Sequence, residues 1–574
     1  MMESLINHQS QLISLYGSLF RNGNIELFMK SLQKIIYDLR QVIMTTQNAH
    51  IQQAHFDILK LVYKLIPYCR DIYGGLGERQ LSYAMLFVWK YLFPVPAAQC
   101  FYKMVMPMDG NPPFGSWRDV KGLCSHVRKY SELKEKDPFI ETCIGFMNNQ
   151  LEEDRKAWDE ALDNYNRKLG TPWETKRPVI SETDVSLVCR WIPRENSAHK
   201  WLFERCVIQW MRAYRPHYLK SIGTHRDRFV KCLNKGKKEY RHLFTRLSKA
   251  WDTLEIKQCG KQWSRIDPNH IPMRAMTKQQ HALLNIGGTG NVRHGTMHDK
   301  DRETCAIKIQ SWWKTHRSNF PVFIEMGDLI KQALRVRHVD EIQRLESLWK
   351  CVCGQIVEMP YMIPFLDLSL FRDDVESFYH ALGMALAVAS RSTLFGKEKR
   401  LFAFDNGCYI VPFETGGGLM SMMETIKPIY HQHHIGSNLR NACIVCASAL
   451  KESGLDDGDI LNLSLMVFGG SHMNLRFDLL PFKECGIETP SVLCWLSQPQ
   501  IIEIELSGPT DERKYPFFVG NSNHSLSRIS QLPSDTWKHI SQYGFLKFLL
   551  SHERYKPFDE YFNGLRNGGT QVPP

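Results

Sequence analysis

Ile363-Pro364-Phe365-Leu366-Asp367-Leu368-Ser369-Leu370-Phe371 is an apolar run of strand length with an Asp and a Ser at its downstream end. Strands buried on both faces of a parallel sheet read as near-continuous hydrophobic runs rather than alternating ones. In open α/β sheets, ligands sit outside the carboxyl ends of the strands. Asp367 and Ser369 are therefore candidate site residues. Further runs of the same kind follow at 401–404, 463–468, 492–496 and 517–519, with helical patterns between them at 377–389, 419–430 and 438–450. Strands alternating with crossover helices specify a doubly wound, mostly parallel sheet.

Upstream the pattern is helical. Ile36, Leu39, Val42 and Ile43 recur at helical spacing, as do Phe56, Leu59, Leu61, Val62 and Leu65. Gly and Pro break the pattern at 73–77, 107–115, 170–178 and around Pro216. No fixed period repeats, so an irregular, HEAT-like α-helical array is expected. The character changes near 353–358. The expected organisation is thus a helical region over 1–355 and an α/β domain with a C-terminal tail over 356–574, in a chain of 574 residues that is too long for one core.

Hydrophobic content of 43% and charged content of 23% are those of a globular protein. No run is long and apolar enough to span a membrane, and the first residues form an amphipathic pattern rather than a signal peptide. A cytoplasmic or nuclear location is expected. The 16 cysteines are scattered, as reduced and buried thiols would be. The net charge of +12 permits a polyanionic partner. Basic residues crowd one stretch: Arg212, Arg215, Lys220, Arg226, Arg228, Lys231, Lys235, Lys237, Lys238 and Arg241, continuing through Arg246, Lys249, Lys257 and Lys261. Tyr214, Tyr218, Phe229, Tyr240, Phe244 and Trp251 interleave with them. Cations that neutralise phosphates, with aromatic faces on which bases stack, suit single-stranded nucleic acid. The competing reading is a solvated helix face with its aromatics packed inward.

Five segments carry a family resemblance in order along the chain. They are Asp71-Ile72-Tyr73-Gly74-Gly75-Leu76-Gly77-Glu78-Arg79, Phe114-Gly115-Ser116-Trp117-Arg118-Asp119, Trp191-Ile192-Pro193-Arg194-Glu195, Gln262-Trp263-Ser264-Arg265-Ile266-Asp267 with Ile271-Pro272-Met273-Arg274-Ala275-Met276, and Glu553-Arg554-Tyr555-Lys556-Pro557. Together they resemble the Ro-like proteins (domain of unknown function 2828), which pair a TROVE-like helical region with a C-terminal von Willebrand factor A domain. The resemblance implies RNA binding on the helical part. It also implies a Mg²⁺ site built from three loops of the α/β domain.

The first of those loops reads Asp-x-Ser-x-Ser in the family; Asp367 and Ser369 match it, and Phe371 replaces the second Ser. The second, Ile435-Gly436-Ser437-Asn438, lacks the family Thr and offers Ser437 instead. The third, Ser471-His472-Met473, carries His472 where the family has an Asp. Mg²⁺ wants oxygen ligands in octahedral array, so the expectation is a degenerate site and no resident cofactor. Two alternatives stay open there: residual Mg²⁺, or Zn²⁺ held by His472 with His431, His433 and His434. Cys443 and Cys446 form a Cys-x-x-Cys on a predicted helix, where that spacing faces the sheet.

The remaining features are weaker. Residues 71–79 read as a tight turn between helices, the alternative being direct ligand contact, and Trp117 and Trp263 as core anchors, the alternative being base-stacking platforms. Ala306 to Arg317 resembles the start of an Ile-Gln motif or an ordinary helix edge. Ile286-Gly287-Gly288-Thr289-Gly290-Asn291 lacks the Gly-Lys-Ser of a nucleotide cradle. No nucleophile elbow or zinc-binding helix is present. The chain reads as a non-enzymatic RNA-binding ribonucleoprotein component. The alternative is a protein–protein scaffold or self-assembling component, in a cell or, since the family extends to large DNA viruses, in a virion.

Overall fold

The computed structural model describes residues 2–566 apart from 20–23, 108–111, 170–184, 221–225, 251–253, 272–274, 277–278, 287–296, 316–323, 337–338, 397, 433–435, 456, 470–477, 497–515, 521–522, 534–535 and 537–539. Helices dominate the N-terminal part and a mixed six-stranded sheet the C-terminal part. Among the described residues no helix is long and apolar enough to cross a membrane.

The strands are β1 Met362–Asp367, β2 Glu398–Phe404, β3 Cys408–Glu414, β4 Ser464–Gly469, β5 Ser491–Leu496 and β6 Phe517–Phe518. They lie in the order β3-β2-β1-β4-β5-β6, with every neighbour parallel except the β2–β3 pair. All six residues of β1 and all six of β4 are buried, as the uninterrupted apolar runs require. On one face Ile363, Phe365, Leu465 and Val467 pack with Ala442, Cys443, Cys446 and Leu450 of the Leu439–Glu452 helix. The Val375–Arg391 helix, buried along most of its length, packs against β1, β2 and β4. The expected strands and crossover helices are all present.

Strand β3 is an addition. Asp405-Asn406-Gly407 turns the chain back on itself, with the Gly407 amide donating to Asp405 Oδ1 at 2.7 Å. Burial then alternates along β3, and Pro412 occupies it without disrupting a ladder because β3 is the sheet edge. The three-residue turn carrying Gly is a hairpin signal.

The chain forms two compact units: Met1–Ser82 together with His316–Pro574, and Tyr83–Thr315. The first strand begins at Met362, and the first 82 residues belong to the same compact unit as the sheet. Tyr16, fully buried on the Met2–Gly17 helix, accepts the Val519 amide at 3.5 Å and lies 5.8 Å from the Phe517 ring. The Ala49–Arg70 helix packs Tyr63 against Phe558 and Phe562, and its Lys64 Nζ is 2.7 Å from Asp559 Oδ2. Residues 71–78 form the expected tight turn. The Leu76 amide donates to Tyr68 O at 3.0 Å, and a Cβ at Gly75 would lie 1.8 Å from that same oxygen. Buried Asp71 receives the Arg554 guanidinium on both carboxylate oxygens, at 2.7 and 2.9 Å, and the Tyr555 hydroxyl at 3.1 Å. Two of the segments singled out in the sequence therefore meet, although 483 positions apart.

The second unit is helical. Its interior sits among the helices Pro138–Leu169, Lys200–Tyr214 and Arg226–Ala250. Polar groups in that interior are matched: the Tyr240 hydroxyl donates to Asn148 Oδ1 at 2.6 Å and Trp210 Nε1 to Glu152 Oε1 at 2.7 Å. Gly236 lets the last helix approach the Lys200–Tyr214 helix, since a Cβ there would lie 2.3 Å from Met211 Sδ. Trp117 and Trp263 are buried here as core anchors.

Candidate nucleic-acid interface

The Arg226–Ala250 helix has two opposed faces. Gly236, Tyr240, Leu243, Phe244 and Leu247 are buried. On the other side Arg228, Lys231, Lys235, Lys238, His242, Arg246 and Lys249 are exposed. Steps of three and four residues put these side chains on one face, neighbours about 5–6 Å apart at Cβ. The helix exists because its apolar positions repeat at helical spacing and bury against the preceding helix. The same periodicity aligns the cations on the opposite side.

The ten candidate residues divide into two groups and two outliers. Arg212, Arg228, Lys231, Lys235 and Lys238 are exposed and make no ion pair among the described residues; Lys235 Nζ lies 4.7 Å over the Tyr218 ring. Arg215, Lys237 and Arg241 are engaged locally. Arg215 Nε is 3.8 Å from Glu239 and its guanidinium 4.9 Å over Trp210; Lys237 Nζ is 2.8 Å from Glu204; Arg241 pairs with Glu195. Lys220 and Arg226 begin or end helices, but their side chains lie outside the described residues.

The aromatics interleaved in this stretch do not form stacking platforms. Tyr240 is 0%, Phe244 3% and Tyr218 8% exposed; each fills a gap between helices, which is where an aromatic ring at a buried helical position goes. Tyr214 is half-buried and Phe229 exposed, while Trp251 lies outside the described residues. Arg228, Lys231, Lys235 and Lys238 thus lie exposed on the helix, while Tyr218, Tyr240 and Phe244 are buried.

A different aromatic sits among cations. Trp191 ends the Val188–Trp191 helix and is partly exposed. Lys121 Nζ lies 5.2 Å from its ring centroid, and the Arg118 and Arg190 guanidiniums 5.7 Å each. Arg194 stands beside them, its guanidinium 4.5 Å over the edge-packed ring of Phe244. The sequence search missed this group because its members come from segments 76 positions apart and none is a cluster by itself. The signal was the presence of both Arg118 and Trp191 in the quoted segments.

At the sheet, Asp367 ends β1 where the strand order reverses, between β2 and β4. Its Oδ1 accepts the Ser369 amide at 2.9 Å and hydroxyl at 2.6 Å, and its Oδ2 accepts the Ser437 hydroxyl at 2.8 Å. Three of the four sequence-predicted ion-site residues are therefore in contact; His472 lies outside the described residues, as do His433 and His434. Phe371, which stands where Asp-x-Ser-x-Ser would have its second Ser, packs into an aromatic group, 5.2 Å from Phe378 and 5.4 Å from Tyr430. His431 is exposed and edge-on to that ring at 5.8 Å. Among the described residues no three His, Cys, Asp or Glu side chains converge on one point. The described residues of the site supply one carboxylate and two hydroxyls, both hydroxyls donating to the carboxylate, and these alone fall short of an octahedral oxygen cage for Mg²⁺.

Other sequence features fall into the cores. Cys443 and Cys446 face the sheet, and burial pushes both thiols up. In the Met297–Thr315 helix Ile309 and Trp312 are buried, with Trp312 Nε1 donating to Asn269 Oδ1 at 2.7 Å; this is the packing of a helix edge, while Trp313 and residues 316–317 lie outside the described set. Residues 287–291 do likewise.

Compared with protein-family models, with curated proteins and with solved structures, the chain shows no significant match in any of the three.

Proposed function

We propose that this chain is a non-enzymatic RNA-binding protein of Ro-like type, which grips the phosphate backbone with the exposed face of the Arg226–Ala250 helix. The observation that carries the reading is the one-sidedness of that helix: Arg228, Lys231, Lys235 and Lys238 line one face without carboxylate partners among the described residues. Unpaired cations repel one another across such a face, and a polyanion that bridges them releases its own counterions in binding. The α/β part serves in this reading as a von Willebrand factor A-like scaffold. Its sheet order with an antiparallel β3 at the edge supports that assignment, and its ion site is degenerate because Phe371 has turned into the aromatic core.

The test is binding of the purified chain to single-stranded and structured RNA across a salt series. Each phosphate contact contributes about 0.7 to the slope of log affinity against log salt for single strands. Arg228→Glu, Lys231→Glu, Lys235→Glu and Lys238→Glu in combination should therefore cut the slope by about 3. Absence of binding at low salt, or an affinity indifferent to these reversals, discards the reading.

A second reading, a scaffold or assembly component of a cellular or viral particle, draws on the Ile25–Thr45 helix. Tyr37 and Met44, seven positions apart on one face, are 51% and 70% exposed, and Leu27 is 63% exposed. Concentration-dependent self-association in light scattering, abolished by Tyr37→Glu with Met44→Glu, would favour it over RNA binding.

A further inference from the structure

Trp191 is the one partly exposed indole around which several cations gather among the described residues, and the way they gather is unusual. Arg118 is the first residue of the Arg118–Tyr130 helix and Lys121 lies one turn on, so both project to the same side. Arg190 reaches the ring from the segment around Trp191 itself, and Arg194, over the Phe244 ring, lies near enough to Lys121 for its charge to be felt there. Of the four, Arg190 pairs with Glu255; Arg118, Lys121 and Arg194 have no carboxylate partner among the described residues. The neighbouring acid, Asp119, is turned into the interior, where its oxygens accept the Tyr83 hydroxyl at 2.5 Å and the Ser116 amide at 2.7 Å. Burial lowers the Lys121 pKa, and the charges of Arg118 and Arg194 lower it further. Three like charges brought together with aromatic rings but no carboxylate among the described residues leave net repulsion, which an anion would reduce.

The distances from the cations to the ring, 5.2 to 5.7 Å, are long for flat guanidinium stacking. Three cations share the partly exposed ring at these distances, so a π-face and positive charge stand within one nucleotide's reach.

We infer that Trp191, Arg118, Lys121 and Arg194 form a nucleotide subsite, in which one base of a single-stranded RNA stacks on the indole and its flanking phosphates are held by the three cations. The inference deepens the RNA-binding reading and rests on it. It supplies the base contact that the buried Tyr240 and Phe244 cannot make. Recognition there is by π-face and charge, so it is tolerant of sequence.

The experiment compares two probes on the full-length chain: a short oligoadenylate, which has bases, and inorganic polyphosphate, which has none. Stacking of one base is worth about 1–3 kcal/mol. Trp191→Ala should thus weaken oligoadenylate binding about fivefold or more without changing its salt slope, and leave polyphosphate binding where it was. Trp191→Phe, which keeps a ring, should retain most of the affinity. Arg118→Glu with Lys121→Glu, both on the surface side of their helix, should weaken both probes and lower the salt slope by about 1.4. The subsite is refuted if Trp191→Ala leaves oligoadenylate affinity unchanged, or weakens polyphosphate equally. It is refuted independently if the double charge reversal affects neither probe. Should the wild-type chain bind RNA and respond to reversals on the Arg226–Ala250 helix while Trp191→Ala stays silent, RNA binding survives and the subsite alone falls. A wild-type chain that binds neither probe removes both.

Discussion

Gly75 illustrates how one residue decides a connection. The turn after the Ala49–Arg70 helix folds so tightly that the Tyr68 carbonyl occupies the place a Cβ would take, 1.8 Å away. That oxygen also accepts the Leu76 amide, so it cannot move aside without losing the cap. Gly75→Ala should therefore destabilise the unit built on the sheet by about 2 kcal/mol or more, measured as a lowered denaturation midpoint with unchanged m-value. A neutral substitution would mean that the turn has a second conformation at little cost. Glycine punctuation at 73–77 marked the turn in the sequence, but composition does not reveal which glycine is sterically required. Nor does it reveal that Asp71 would receive Arg554, because ion pairs across hundreds of positions leave no local trace.

At the scale of the element, what was legible followed from hydrophobic period. The central strands were readable because burial on both faces demands continuous apolar runs, and the helices between them because one stripe faces the sheet. Strand β3 escaped because an edge strand is half-solvated and carries Pro412, both of which dilute the pattern. On the Arg226–Ala250 helix the crowding of cations was legible in the sequence, but not the facing of the aromatics, which depends on phase. Tyr240 and Phe244 fall in phase with Leu243 and Leu247 and are buried; the cations fall out of phase and are not. Phase also separates the functions of this helix experimentally. Tyr240→Phe removes the hydroxyl that donates to Asn148 Oδ1 in the interior and leaves a buried acceptor short of a partner, at a cost of about 1–3 kcal/mol. Stability of the Tyr83–Thr315 unit should fall by that amount, while the salt slope of the proposed RNA binding stays constant. A changed slope would show that the buried and exposed faces are coupled.

Over the whole molecule, two separate cores imply two separate accounts of stability, and pH provides a way to address them together. Each unit buries one histidine whose pKa is lowered to about 4. His126, in the Tyr83–Thr315 unit, is desolvated against Phe87, Tyr83 and Tyr130, and Lys129 lowers it further. His524, in the unit built on the sheet, is lowered first by burial and then by Arg554, with Asp71 opposing. In both, the folded state holds the neutral imidazole while the unfolded chain takes a proton below about 6.5. The unfolded state therefore binds more protons between pH 6.5 and 4, and stability falls as pH falls through that window. It is fully present above it. The difference between 6.5 and 4 amounts to at most about 3 kcal/mol per site. Thermal unfolding followed from pH 7 to pH 4 should show both units losing stability on acidification. His126→Phe, which suits the aromatic surroundings of that site, should flatten the pH dependence of the Tyr83–Thr315 unit and leave the other's intact; His524→Leu should do the converse. If either variant flattens both, the two units unfold as one cooperative body. If neither does, the acid sensitivity resides in other groups, and these imidazoles are already reached by water in the folded chain.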